Sequence, residues 1–357
     1  MPLGDISTLL VWGAATAFTI ALIAHSAALA RVADASSREH RQAALATPAR
    51  RAGDPSANSP ASGGVATVAV ASPDSGDQGQ ASDGVASWRS TGIARSTTYL
   101  GVTLLLVGIV LRGLAAGRWP TANMYEFTLV GILVAALVHL AVRRTRTIPF
   151  LGVVVMGMSV LALVLALNAF YIRADQVQPA LQNYWLVIHV GVAIAATGIF
   201  TVAFATSLLQ VLQDARQTGR SHVATSWRAA DGLRRALSRW RITGPAWSWL
   251  STVPPARQLE ALSFRLNAVG FVLWTLTLIG GAIWAEQAWG RYWGWDPKEV
   301  ATFVAWVVYA GYLHARTTRG WAGRRAAYFV FVGYAVVLAN FTVVNLLVAG
   351  KHSYSGI

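Results

Sequence analysis

The sequence predicts an all-α polytopic membrane protein, and three observations carry that prediction. Hydrophobic residues make up 55% of the chain and charged residues 12%, about half of the roughly 25% charged content of a soluble domain. Eight segments are apolar over the ~20 residues that a hydrocarbon layer about 30 Å thick requires at a helical rise of ~1.5 Å per residue. The basic residues, 29 against 15 acidic ones, gather on alternate connections between those segments. A basic chain of ordinary hydropathy suggests nucleic acid. Here the charge follows topology, with no basic stripe interleaved with stacking aromatics, so no nucleic-acid partner is expected.

The first span runs near 6–30, within a unit 1–30. It lacks a basic n-region and is too long for the h-region of a signal peptide, so it reads as a retained span. Residues 31–96 are rich in Ala, Ser, Gly, Asp and Pro, and 53–87 hold almost no large apolar side chain except valine. Such a stretch cannot bury enough surface to offset its chain entropy, which predicts a disordered cytoplasmic linker. Spans two to five, near 97–116, 124–142, 149–170 and 185–211, form a unit 97–211. The basic loop 212–261 contains Trp227, Trp240, Trp247 and Trp249. It admits two readings: an amphipathic helix on the membrane surface with arginines toward headgroups, or a poorly ordered loop. The last unit, 262–357, has spans near 262–285, 300–318 and 327–349, with an outer loop 284–299 between the first two.

Twenty-two of the 29 basic residues lie in 31–96, 143–147, 212–261 and 315–326. The opposite side holds six: Arg112, Arg118, Arg173, Arg291, Lys298 and Lys351. The positive-inside rule makes the first side cytoplasmic and places both termini on the extracytoplasmic side of the plasma (inner) membrane. Lys298 and Lys351 are the only lysines, and there is no cysteine. That excludes disulfides, thiolate metal sites, iron–sulfur clusters and cysteine nucleophiles in this chain. Any thiol chemistry comes from a partner or substrate.

The outer loop concentrates the aromatic residues. Trp284, Trp289, Trp293 and Trp295 with Tyr292 fall within twelve residues. An interfacial aromatic belt supplies one or two per helix end and needs no glycines at Gly290 and Gly294. Glycine there permits close approach of backbone or ligand. Asp296-Pro297 reads as the cap and first residue of span seven; capping and ligand binding stand level as the role of Asp296. The loop reads as a flat amphipathic platform for a planar, hydrophobic ligand with a polar edge.

Five of the seven histidines lie in or beside spans. His189, near the outer end of span five, and His352, just beyond span eight, share the outer face with the tryptophan loop. Two imidazoles and an aromatic floor at one depth are the parts of a bis-histidine haem site. His25, His139 and His314 lie toward the cytoplasmic ends of their spans. Ionisable groups within spans are costly and mark function by default, although snorkelling to the inner interface is the better reading for His25 and His139. His314 is best placed, since its helix begins at the tryptophan loop.

Trp289-Gly290-Arg291-Tyr292-Trp293-Gly294-Trp295-Asp296-Pro297-Lys298-Glu299 resembles the tryptophan-rich WWD signature of haem-handling proteins of cytochrome c maturation. The ending His352-Ser353-Tyr354, the eight spans and Pro120-Thr121-Ala122-Asn123-Met124-Tyr125-Glu126 resemble the CcsA/ResC branch, system II. The resemblance covers about 97–210 and 262–357. It implies handling of haem b, with Trp289, Gly290, Arg291, Tyr292, Trp293, Trp295 and Asp296 at the ligand. His189 and His352 match the family's external axial histidines, and His314 matches its membrane histidine. It also implies a ResB/CcsB-like membrane subunit, an apocytochrome c bearing Cys-X-X-Cys-His, and thiol-reducing pathway proteins as partners. The implied role is haem transport and covalent haem attachment as part of a cytochrome c synthetase. Arg112, Arg118 and Arg291 are candidates for the haem propionates, since a fork of donors suits a carboxylate. His25 or His139 is a candidate partner for His314.

Other functions fit less of the sequence. A haem- or quinone-binding electron-transfer subunit predicts paired histidines at two depths but not the long tryptophan loop. A system I haem exporter shares the signature. A transporter of another solute predicts acids deep in spans, whereas the acids here lie in loops or at span ends, Glu126 being the nearest exception.

Overall fold

The computed structural model describes residues 1–45, 77–145, 148–174, 183–219, 242 and 244–351. The described residues contain helices and no strand. In chain order these are α1 (Leu3–Leu45), α2 (Asp77–Ala116), α3 (Met124–Thr145), α4 (Pro149–Ala169) and α5 (Tyr184–Gln217). A short 3₁₀ helix (Pro245–Thr252) follows, then α6 (Ala256–Trp289), α7 (Pro297–Thr318), α8 (Arg324–Phe341) and the single turn α9 (Val343–Leu347).

Among the described residues, seven helices are long and apolar enough to cross a membrane: all of the long ones except α7. Helix α7, the expected seventh span, has 22 residues, or about 33 Å of helix. Its length suffices, but Trp306, Tyr309, Tyr312 and His314 dilute its apolar character. The chain is a multi-pass all-α membrane protein.

Two helical groups form the body. Helices α1 to α4 pack together, with α1 lying along α2 and α4; α5 packs along α6, and α8 joins α5 and α7. The contacts of α5 with α3 and α4 unite the groups. The larger core cluster contains Phe18, Leu105, Tyr125, Leu129, Met156 and Leu163. A second, of Phe200, Trp274, Tyr309 and Tyr334, binds α5 to α8. At its centre the Phe200 and Tyr309 rings stack at 3.9 Å. Gly270 makes that stack possible, because a Cβ there would lie 2.5 Å from the Phe200 ring.

Two connecting segments carry structure of their own. Residues 31–45 continue α1 and 77–96 open α2, so helix occupies both ends of the segment expected to be disordered; residues 46–76 lie outside the described residues. An established helix adds each further residue at small cost, and Arg, Gln and Ala in 38–45 are good helix formers. In the loop 212–261 the described tryptophans pack onto the helical body. Trp249 is buried and stacks on Phe150 of α4 at 4.7 Å. Trp247 packs beside it at 5.8 Å, and its carbonyl accepts from Arg216 at 2.7 Å. Trp227, Trp240 and His222 lie outside the described residues.

Candidate haem site at the tryptophan loop

The site begins with the termini of four helices. Asn183 caps α5, its side chain accepting from Trp185 N at 2.8 Å. That start sets His189 one and a half turns into the helix. Asn123 caps α3 in the same way, accepting from Glu126 N at 2.9 Å. Helix α6 ends at Gly290, whose φ of 71° is the left-handed conformation that glycine adopts without penalty. Helix α7 opens on a complete capping box: Asp296 accepts from Lys298 N, and Glu299 reaches back to Asp296 N at 3.1 Å. The capping role expected of Asp296 is therefore present, and its carboxylate is committed to backbone.

His189 is oriented by α6. Its Nδ1 lies 2.8 Å from the Thr277 carbonyl. A carbonyl only accepts, so Nδ1 carries the proton and the neutral ring bears its lone pair on Nε2. That is the arrangement of a metal-binding histidine held through its second nitrogen. The ring stacks on Trp284 at 6.1 Å and 11°. It needs a glycine on α6: a Cβ on Gly281 would sit 2.8 Å from His189 Cε1, whereas one on Gly280 would make ordinary contact at 3.6 Å. Gly281 and Trp284 are neighbours of His189 that the sequence reading did not assign; an adjacent glycine pair inside a span was the available signal.

Two cavities meet at His189. One, of about 140 Å³, lies between α3, α5, α6, α7 and α8 and is lined by Asn123, Phe127, Trp274, Trp284, Lys298 and Asn340 among others. The other, about 40 Å³, opens toward the loop past Gly281, Tyr292, Trp293 and Glu299. His189, Thr277, Lys298 and Thr302 belong to both. Residues 121–124 of the α2–α3 connection line the larger cavity, which explains why that motif accompanies the tryptophan loop.

The loop residues divide. Trp293 is partly buried, edge-on to Trp295 at 5.8 Å. Trp289 packs against Trp284 at 4.8 Å. Trp295 is 78% exposed and holds φ at 57°, the only described non-glycine residue with positive φ. A bulky residue in that conformation is strained, and such strain persists at ligand sites. Tyr292 and Arg291 are exposed, and the Arg291 guanidinium lies 2.7 Å from where a Cβ on Gly294 would be.

The remaining predicted residues are not gathered here. His352 lies outside the described residues, but Lys351 before it is held: its N–H donates to Asp296 Oδ1 at 2.6 Å, and its Nζ lies 5.5 Å from the Trp289 ring centroid. His314 is exposed on α7, away from both cavities. His25 and His139 pair with each other rather than with His314. Their rings are edge-to-face at 5.9 Å, on α1 and α3, while α7 packs on α6, α8 and α9. Arg112 and Arg118 are not offered to a ligand. Both bind Glu126, at 2.9 and 2.8 Å, and Glu126 also accepts from Ala122 N. Arg112, 1% exposed, spends a further donor on the Ile172 carbonyl at 2.7 Å.

The profile of the cytochrome C assembly protein family matches residues 121–352, from the cavity-lining connection to the segment after Lys351. The chain belongs to this family. It is 34% identical over 280 residues to the cytochrome c biogenesis protein CcsA of Parasynechococcus marenigrum (strain WH8102), covering 76% of this chain and 88% of that protein. It is 36% identical over 257 residues to CcsA of Prochlorococcus marinus (strain MIT 9303), covering 70% and 80%. The cytochrome c haem lyase CcmF has the same fold, with a TM-score of 0.54 at 15% identity. That likeness covers 96% of this chain but 47% of the lyase, so the chain spans about half the lyase's length. Membership in the CcsA branch makes cytochrome c biogenesis the role of this multi-pass protein.

Proposed function

We propose that the protein presents haem b at the outer membrane face for covalent attachment to apocytochrome c. The observation that carries this reading is the His189–Thr277 contact of 2.8 Å. It fixes the tautomer and the ring plane at the junction of two cavities beside a tryptophan loop. His189 supplies one iron ligand through Nε2. His352, the residue after Lys351 in the sequence, supplies the other. Trp293 and Tyr292 flank the cavity that leads outward from His189.

The positive-inside charge distribution puts this site on the extracytoplasmic side, where the chain's termini also lie. The chemistry is addition of two Cys-X-X-Cys-His thiols across the two haem vinyl groups. Each S–H adds across one C=C, sulfur to one carbon and hydrogen to the other, and no oxidant is consumed. The protein contributes by holding vinyl against thiol. Its lack of cysteine leaves no competing thiol at the site. The exposed His314 on α7 is available to a partner, and a ResB/CcsB-like subunit completes the inner haem site there. Reductant for the client's thiols comes from thiol-reducing pathway proteins.

The test is the dithionite-reduced visible spectrum of the purified protein, co-expressed with such a subunit, beside His189→Ala, His352→Ala and His314→Ala. A low-spin spectrum altered by the first two variants supports the outer site. A spectrum without haem in the wild-type complex overturns the reading. Thioether formation on added apocytochrome then separates attachment from electron transfer alone.

A further inference from the structure

Of the three arginines expected to receive the haem carboxylates, Arg112 and Arg118 are bound to Glu126, and Arg291 is exposed on the loop and lines neither cavity. The structure supplies another cation. Lys298 lies in the first turn of α7 and belongs to both cavities that meet at His189. Its Nζ donates to the Asn345 side-chain oxygen at 2.7 Å and to the Asn340 carbonyl at 3.1 Å. An ammonium has three donors, so two are spent on neutral oxygens.

No carboxylate forms an ion pair with Lys298 among the described residues. The neighbouring acids are engaged elsewhere. Asp296 accepts from Lys298 N and Lys351 N, and Glu299 accepts from Gly294 N and Asp296 N. The position is also unfavourable for a cation, because a helix N-terminus carries partial positive charge. A half-buried cation with no carboxylate in ion-pair contact, placed against a helix dipole, is costly to retain. The composition sharpens the point: 27 of the 29 basic residues are arginine, and lysine occurs only here and at Lys351. A lysine is a compact point charge that fits where a guanidinium fork does not.

We propose that Lys298 is the carboxylate subsite of the ligand cavity, supplying the counter-charge for a propionate of the porphyrin whose iron His189 binds. The proposal rests on the haem reading above and adds which edge of the ligand enters the cavity: the carboxylate edge, which leaves the vinyl edge toward the exposed loop. Lys298 is a positioning residue, since it touches the ligand's carboxylate and not the reacting vinyl carbons.

The test compares haem with haem dimethyl ester, in which both carboxylates are masked, for binding to the full-length detergent-solubilised protein. The wild type is expected to bind haem at least tenfold more tightly than the diester, as a charge-assisted hydrogen bond implies. Lys298→Met is expected to bring the ratio close to one while leaving affinity for the diester unchanged, and Lys298→Arg to restore part of the preference. An unchanged diester affinity also shows that the variant is folded. A methionine variant that keeps the wild-type ratio overturns the lysine proposal and leaves the haem site standing. A wild-type protein that binds neither porphyrin overturns the haem reading and the lysine proposal together. If the methionine variant loses the diester as well, the wild type decides alone: a haem preference that stays constant from pH 7 to pH 10 overturns the proposal.

Discussion

Asp296 Oδ1 accepts the backbone N–H of Lys351 at 2.6 Å, across 55 residues of sequence. The same carboxylate caps α7 through Oδ2, and a Cβ on Gly350 would lie 2.7 Å from Oδ1. One side chain thus ties the end of the tryptophan loop to the segment that leads into His352. Capping of α7 and the hold on Lys351 account for an acid at this position of the motif.

Asp296→Ala is therefore expected to do two separable things. Loss of the cap lowers stability by about 0.5–2 kcal/mol, read by thermal unfolding in detergent. Release of Lys351 loosens the second axial ligand, so the reduced haem spectrum shifts from low-spin toward high-spin. A variant that is destabilised but keeps a wild-type spectrum contradicts the positioning role.

Gly281→Ala tests the seat of His189. The added Cβ would fall 2.8 Å from the imidazole Cε1, so the ring must leave its stack on Trp284. Alanine raises helix propensity, so helix content measured by circular dichroism is expected to hold while haem retention falls as in His189→Ala. Full haem retention would show that the ring has another place to go.

Glu126→Gln removes the carboxylate shared by Arg112 and Arg118. Arg112 then remains buried without its counter-charge, and breaking such a pair costs about 3–5 kcal/mol. The expected signature is a large drop in melting temperature, with the preference for haem over its diester unchanged among molecules that stay folded. A changed preference would return these arginines to the ligand.

Lys298 gives the ligand-free protein a pH dependence. It precedes the predicted seventh span, and burial pushes its amine down to about 8, with the Asp296 charge opposing. The unfolded chain keeps the ordinary value of 10.5, so between these values the unfolded state binds more protons. Stability then rises with pH across that window, and the cost of burying the ammonium is fully present below about 8. Melting temperatures from pH 7 to 10.5 are expected to climb in wild type relative to Lys298→Met. Parallel curves for the two proteins would remove this account.

Gly152→Ala probes the inner histidine pair. Its Cβ would lie 2.6 Å from His25 Nδ1, so the pair must separate or α4 must shift. Destabilisation of the α1–α4 group is expected, without loss of the outer haem spectrum. Loss of that spectrum in a folded variant would couple the two layers.

The sequence alone determined the membrane character, seven spans that satisfy both length and hydropathy, and the clustering of aromatic residues at 284–299. Each follows from local composition or from a motif contiguous in the chain. It marked the cap at Asp296 for the same reason, because a helix start is written in adjacent residues; the left-handed helix end at Gly290 came from the structure. Only the tertiary structure decided that His25 faces His139 and not His314, and that Trp249 stacks on Phe150. It alone decided that Glu126 neutralises Arg112 and Arg118, and that Lys298 stands where the two cavities meet. Those outcomes depend on the rotation of each helix about its axis and on which neighbour it packs against. Hydropathy is nearly uniform around a lipid-embedded helix and carries little of that information. Contacts such as Asp296 with Lys351 join residues far apart in the chain, and packing of α7 against α8 and α9 brings them together.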